Sequence, residues 1–175
     1  MKHDIFISYR RDGGAATARI LRDRLSELGY CVFFDVESLQ SGYFDSALYD
    51  KIDQCKDFVV ILSPNALDSC WNEEDWVRKE VTYALQQNKN IIPVMLPNFR
   101  FPDMLPDCME NLRFCNGITA SEDFFDAFID KLCYFLRSKP SFFRSLRYNR
   151  LLKRLFPALF TLFIFFSFVL FSLLF

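Results

Sequence analysis

The chain has 175 residues, enough for one domain with a short additional segment but not for two independent hydrophobic cores. Hydrophobic residues make up 51% and charged residues 25%, which predicts a packed globular domain and excludes a wholly disordered chain. The single histidine, His3, excludes catalysis or a zinc site that needs two imidazoles, and the five glycines form neither a Rossmann nor a P-loop nucleotide-binding motif.

The net charge of −1 conceals an uneven distribution of charge. Residues 1–130 carry 13 Lys and Arg against 22 Asp and Glu, whereas residues 131–175 carry eight Lys and Arg and no acidic residue. Binding to a nucleic acid requires a basic surface, which an acidic domain lacks. We therefore expect no nucleic-acid partner.

Short apolar runs alternate with amphipathic segments along residues 4–136. Strands are predicted, in chain order, at residues 4–9, 31–34, 58–62, 90–96 and 114–118. Helices are predicted between them at residues 15–28, 44–55, 72–87 and 121–136. Asn72 and Asp75 are expected to cap the third helix, and Pro93, which lacks a backbone donor, predicts a bulge or an edge in the fourth strand. The alternation predicts an α/β fold whose parallel sheet is covered by helices on both faces.

The last 21 residues, 155–175, contain no charged side chain. As a helix they would be about 30 Å long, enough to cross the hydrocarbon core of a bilayer, although a buried core helix is an alternative. The basic residues just before them are Arg144, Arg147, Arg150, Lys153 and Arg154. These cations would contact anionic headgroups and keep the preceding domain in the cytoplasm. We expect a domain at residues 1–137, a basic juxtamembrane linker at 138–154 and a transmembrane tail anchor at 155–175.

Ligands of such sheets bind beyond the carboxyl ends of the strands, where residues 9–14, 35–42 and 63–65 are predicted to lie. Arg10 and Arg11 have guanidinium groups that suit a pyrophosphate, but ordinary ion pairs would also explain them. The second loop is polar and contains Asp35, Glu37, Ser38, Gln40 and Gly42. It can be a lid, a contact for a partner or a simple turn.

Glu80 lies on the third predicted helix within about 60° of Trp76, Val77 and Ala84, at the border of its apolar stripe. Partial withdrawal of a carboxyl group from water raises its pKa, which is typical of functional sites. A carboxylate in this position could stabilise the oxocarbenium-like cation that forms when an N-glycosidic bond breaks. The alternative is an ordinary helix glutamate paired with a lysine.

Five segments, taken in order, resemble the TIR (Toll/interleukin-1 receptor-like) family and especially its NAD-cleaving members. They are FISYRR (6–11), VFFDVESLQSGYF (32–44), VVILSPNALDS (59–69), DWVRKE (75–80) and KNIIPV (89–94). The resemblance implies a flavodoxin-like fold with five parallel strands in the order 2-1-3-4-5. It also implies release of nicotinamide from NAD+, leaving ADP-ribose or a cyclic ADP-ribose, with NAD+ as the substrate and no cofactor.

The resemblance also assigns roles by position and makes Glu80 the catalytic residue. The implied substrate-binding residues are Tyr9, Arg10, Arg11, Asp35, Phe44 and Trp76. The implied self-assembly loop contains Glu37, Ser38, Gln40 and Gly42. Ser38 stands where an NAD-cleaving animal relative has lysine after its D-V-E, so the contribution of that lysine to loop control does not carry over.

Three functions are consistent with the sequence. The chain can be a membrane-anchored NAD+ glycohydrolase or cyclase, expected in bacterial antiviral defence; a synthase of a signal for a separate effector; or a non-catalytic TIR–TIR scaffold at the membrane. Glu80 favours an enzyme, because scaffolding TIR domains usually lack the corresponding glutamate. The expected partners are NAD+, other copies of the domain and a lipid bilayer.

Overall fold

The computed structural model describes residues 3–34, 44–121 and 123–148. Its strands are β1 (Ile5–Tyr9), β2 (Val32–Phe33), β3 (Asp57–Leu62), β4 (Asn90–Met95) and β5 (Ile118–Thr119). Its α-helices are α1 (Arg11–Glu27), α2 (Phe44–Gln54), α3 (Trp76–Gln86), α4 (Phe125–Phe135) and α5 (Phe142–Tyr148), and a 3₁₀ helix covers Asp107–Phe114.

All of these strands are parallel and lie in the order β2-β1-β3-β4-β5, which confirms the predicted topology. From β1 the chain passes outward to β2 and then returns to β3 on the other side of β1. The direction of winding therefore changes between β1 and β3. In sheets of this kind a crevice opens at that point, beyond the carboxyl ends of the strands.

The two faces of the sheet are covered by different helices, and each face has its own hydrophobic core. Phe6 and Phe58 point into the core beneath α2 and α3, whereas Ile7 and Val59 point into the core beneath α1 and α4. Because side chains alternate between the faces of a strand, Ser8 lies on the same face of β1 as Phe6. This placement directs Ser8 toward α3.

The expectation that Pro93 marks a bulge or an edge is wrong. Strand β4 lies between β3 and β5 and pairs with β3 along its whole length without interruption. The carbonyl oxygen of Pro93 faces Gly117, just before β5. The N–H and C=O of a strand residue point to the same side, so the missing N–H of Pro93 would also face β5. Pairing between β4 and β5 begins only at Val94 and Ile118, one residue later. The missing donor therefore costs no ladder hydrogen bond.

The fifth strand is displaced from its predicted position at residues 114–118, because β5 has two residues and begins at Ile118. The preceding apolar residues belong to the 3₁₀ helix, whose Met109 and Leu112 are buried in the core beneath α3. Phe114 ends this helix and is 79% exposed. The short apolar pattern could not distinguish a strand from a single helical segment.

Helix α5 lies within residues 138–154, where the sequence predicts a linker. The N–H of Ser141 donates to the carbonyl of Gly29 at 3.0 Å, and the guanidinium of Arg144 pairs with Asp4 at 2.7 Å. Gly29 has a φ of 101°, and the carbonyl of Ser141 occupies the place that a Cβ would take there. These contacts join residues distant in sequence, so the local composition gave no sign of them.

No helix in the described part of the chain combines the length and the hydropathy needed to cross a membrane. The predicted span at residues 155–175 lies outside the described residues.

Asp57, the first residue of β3, is fully buried and connects three segments. Its carboxylate accepts hydrogen bonds from the side chain of Asn90 at 2.6 Å and from the backbone N–H groups of Arg137 and Ser138, both at 2.8 Å. This aspartate thus attaches the end of α4 to the amino edge of the sheet.

We expect Asp57→Ala to lower the free energy of unfolding by about 3 kcal/mol, because three donors would lose their buried acceptor at about 1 kcal/mol each. Urea denaturation followed by circular dichroism measures this change. Asp103→Ala, at an exposed position, is the control and should change the free energy by less than about 0.5 kcal/mol. Equal stability of the two variants would contradict the role of Asp57.

Candidate active site

Asp75 organises the start of α3, where the predicted site residues converge. Its side chain caps the helix by accepting from the N–H of Arg78 at 3.0 Å. Asn72, the other residue of the predicted capping pair, instead accepts from the N–H of Glu74 in the turn before the helix. Helix α3 therefore begins at Trp76 and not at residue 72, and only Asp75 is its cap.

Arg10 connects the end of β1 to the start of α3. Its Nε donates to the carbonyl of Ala66 at 2.9 Å, and its Nη2 donates to Asp75 at 2.8 Å. The side chains of Arg10 and Asp75 are only 22% and 6% exposed, so the ion pair is largely shielded from water. The sequence allowed either an ordinary ion pair or a pyrophosphate contact for Arg10. The structure shows the ion pair, and Arg10 also borders the candidate site.

Glu80 is buried, with 4% of its surface exposed, on the face of α3 that contacts the sheet. The hydroxyl of Ser8, on β1, donates a hydrogen bond to its Oε2. Burial raises the pKa of Glu80 to about 7; the hydrogen bond from Ser8 opposes this shift, and the negative charge of Asp75 adds to it. The prediction of a partly withdrawn carboxyl group is confirmed, and the withdrawal is nearly complete.

A cleft of about 620 Å³ opens at the carboxyl end of β1. The residues that line it are Tyr9, Arg10, Arg11, Asp12, Asp75, Trp76, Val77 and Glu80. The structure therefore brings together Glu80 and four of the six predicted substrate-binding residues. Cationic and aromatic groups meet here around two buried carboxyl groups, those of Asp75 and Glu80.

Aromatic rings and a cation form the accessible parts of the cleft. Trp76 is 38% exposed, and the ammonium of Lys79 lies 5.0 Å from the centre of its ring. Tyr9 stacks on Phe34 with ring centres 5.2 Å apart. Arg11, the first residue of α1, is exposed and borders the cleft from that side.

The residues that follow β1 and β3 meet beside the cleft, as the sequence predicts. Asp12 and Gly13 have non-helical backbone angles and form a kink near the start of α1. Gly13 has a φ of 77°, and a Cβ at this position would lie 3.0 Å from the Cβ of Ser63. Glycine permits both the backbone conformation and the close approach. The side-chain amide of Asn65 donates to Asp12 at 2.9 Å across the same junction.

The second predicted loop, residues 35–42, lies outside the described residues. This applies to Asp35, Glu37, Ser38, Gln40 and Gly42. Phe44 is the first residue of α2. The assignments of Asp35 and Phe44 to substrate binding, and of the loop to self-assembly, stay predictions.

Ser8 is not among the site residues predicted from the sequence, and Asp75 is predicted only as a helix cap. A usable signal for Ser8 was present, because a serine at a core-facing position of a buried strand needs a hydrogen-bond partner. No local pattern could identify that partner, since Ser8 and Glu80 are 72 residues apart.

Comparisons with known proteins agree with this architecture. A family profile described as TIR domain matches residues 5–133. The TIR domain of the Toll-related Receptor TRR-2 from Hydra magnipapillata superposes with a TM-score of 0.54 at 18% identity, over 78% of this chain and 99% of that one. That likeness supports the fold.

Two relatives are more similar in sequence. NAD(+) hydrolase sarm1 of Drosophila melanogaster is 43% identical over 141 residues, or 78% of this chain. NAD(+) hydrolase SARM1 of Danio rerio is 41% identical over 143 residues, or 79% of this chain. The present chain spans 10% and 20% of the lengths of these two proteins.

The buried carboxyl group makes stability depend on pH. The folded protein holds the pKa of Glu80 near 7, above the ordinary value of 4.5 expected when the chain unfolds. Below pH 4.5 the group is protonated in both states and costs no stability. Between pH 4.5 and 7 the unfolded chain releases this proton while the folded protein keeps it, so stability falls as the pH rises. Above pH 7 both states hold the ion, and the loss of stability is complete.

We therefore expect Glu80→Gln to exceed the wild type in free energy of unfolding by about 3 kcal/mol at pH 8, and to match it near pH 4. Urea denaturation at a series of pH values measures the difference. The control is Glu73→Gln, whose side chain is 85% exposed and which should show no such trend. A difference between Glu80→Gln and wild type that stayed constant with pH would contradict the shifted pKa.

Proposed function

The chain belongs to the TIR domain family, and we propose that it is an NAD+ glycohydrolase in which Glu80 is the catalytic carboxylate. The observation that carries this proposal is a buried glutamate lining a cleft that also presents aromatic and cationic side chains. The two relatives named NAD(+) hydrolase support the choice of NAD+ as the substrate.

The chemistry requires one negative charge at the ribose. When the bond between the pyridinium nitrogen and C1′ breaks, the bonding pair stays on nitrogen and neutral nicotinamide leaves. The positive charge moves to the ribose as an oxocarbenium-like cation, which the ionised Glu80 stabilises by electrostatic attraction. Water then attacks C1′ and loses a proton, giving ADP-ribose; attack by a nucleophile within the same molecule gives a cyclic product.

The remaining cleft residues suit the other parts of NAD+. Trp76 and Tyr9 offer aromatic surfaces for the nicotinamide and ribose. The exposed guanidinium of Arg11 suits the pyrophosphate. Arg10 is already bound to Asp75 and Ala66, so it supports the shape of the cleft while leaving donors for the substrate.

We expect Glu80→Gln to reduce the rate of nicotinamide release from NAD+ by at least about 100-fold, because the amide cannot offset the positive charge of the ribose. Release is measured by chromatography with the full chain in detergent. Glu73→Gln, an exposed change just before the same helix, is the control and should keep its activity.

The same experiment separates the competing functions. Equal nicotinamide release by Glu80→Gln and wild type would remove Glu80 from the mechanism. If the wild type consumes no NAD+ at any protein concentration, a non-catalytic TIR–TIR scaffold is favoured. If NAD+ is consumed, the products distinguish linear ADP-ribose from a cyclic compound made as a signal for a separate effector.

We also propose that residues 155–175 anchor the domain in a bilayer, with the TIR domain on the cytoplasmic side. The apolar composition of this segment and the preceding cations support the proposal. Exposed aromatic side chains at the start of α5, Phe142 (72%) and Phe143 (82%), could enter the headgroup region. Arg144 ties α5 to Asp4, which would hold the domain in a defined orientation on the membrane.

Confinement to a membrane would favour self-assembly, which we propose as the route to activation through the loop containing Glu37, Ser38, Gln40 and Gly42. Molecules restricted to a surface meet at a higher effective concentration than molecules in solution. A role in bacterial antiviral defence would follow from depletion of NAD+ in an infected cell, and it stays a prediction.

We expect the full chain to remain with phosphatidylcholine–phosphatidylglycerol vesicles after extraction with alkaline carbonate, because an apolar span of this length inserts into the bilayer. A chain that ends at Arg154 should appear in the supernatant. Flotation on a density gradient measures both. An identical distribution of the two chains would rule out the anchor.

A further inference from the structure

Ser8 occupies a position on β1 where the fold otherwise demands an apolar side chain. It is 1% exposed, and it shares with Phe6 the face of the strand that packs beneath α3. A buried hydroxyl is costly unless it forms a hydrogen bond. The hydroxyl donates to the Oε2 of Glu80, so the serine joins a central strand to the carboxyl group of the cleft.

We infer that Ser8 is a positioning residue, whose hydroxyl fixes the orientation of the Glu80 carboxyl group and holds it in the ionised form that the reaction needs. This inference rests on the proposed function of Glu80. Ser8 contacts the glutamate and does not line the cleft in the described part of the chain, so it acts through Glu80 and not on the substrate directly.

The charges around Glu80 show why such a donor is needed. Asp75, at the start of the same helix, disfavours the ionised form, and the guanidinium of Arg10 is paired with Asp75. From α1, Arg11 and Asp12 border the cleft with opposite charges. Burial is the larger effect, and Ser8 is the group that opposes it. Without this hydrogen bond, a greater share of Glu80 would be protonated and neutral at pH 7.

The test compares Ser8→Ala with the wild type as full chains in detergent. In the wild type, kcat/KM for NAD+ should fall on the acid side with a midpoint near pH 7, where Glu80 becomes protonated. In Ser8→Ala this midpoint should move upward by about one pH unit or more, because the ionised carboxylate loses a donor. Activity should recover in part at high pH.

Two further variants separate positioning from general damage. Ser8→Thr keeps the hydroxyl and should restore the midpoint toward its wild-type position. Ser8→Cys fills the same space with a weaker donor and should shift the midpoint in the same direction as Ser8→Ala, which keeps the test available if the alanine variant folds poorly. Ser26→Ala, at a buried serine on α1, is the control and should leave the midpoint unchanged.

A second measurement does not depend on catalysis. Carboxyl ¹³C resonances of glutamate-labelled protein report the titration of Glu80 directly, and Glu80→Gln identifies the signal. A rise in the pKa of Glu80 in Ser8→Ala would support the inference even if the chain hydrolysed no NAD+, a result that would overturn only the proposed function. An unchanged Glu80 titration in both Ser8→Ala and Ser8→Cys would overturn the inference itself.

Discussion

The candidate site depends on one costly feature, a carboxyl group buried between the central sheet and a helix. A buried carboxylate loses hydration, and one hydrogen bond from a strand does not fully replace it. The surrounding fold must therefore hold Glu80 in place at the expense of stability. That cost is typical of active sites, where a group is kept in an unfavourable environment because the environment makes it reactive.

The elements around Glu80 explain how it is held. Strand β1 lies inside the sheet, between β2 and β3, so the position of Ser8 is set by pairing on both sides. Helix α3 is fixed at its start, where Asp75 caps it and binds Arg10 at the end of β1. Two contacts thus connect the same strand and helix, one ionic and one a hydrogen bond. The ionic contact sets the start of the helix, and the hydrogen bond sets the carboxyl group one turn later.

Particular residues show how far sequence reasoning reached. Helical spacing placed Glu80 beside Trp76 and Val77, and the structure confirms that it is withdrawn from water. The same kind of reasoning failed for Pro93, because the strand pairing that makes a proline acceptable depends on where β5 begins. It also failed for α5, whose position depends on Gly29 and Asp4, residues more than 100 positions away.

By itself, the sequence determined the alternation of strands and helices, the order of the sheet through its family resemblance, and the choice of Glu80. These properties follow from periodicity and from motifs that occupy a few adjacent residues. Only the tertiary structure decided that Ser8 would be the partner of Glu80, and that Arg10 would bind Asp75 and Ala66. Such pairings join segments distant along the chain, and they exist only after β1, β3 and α3 have packed together.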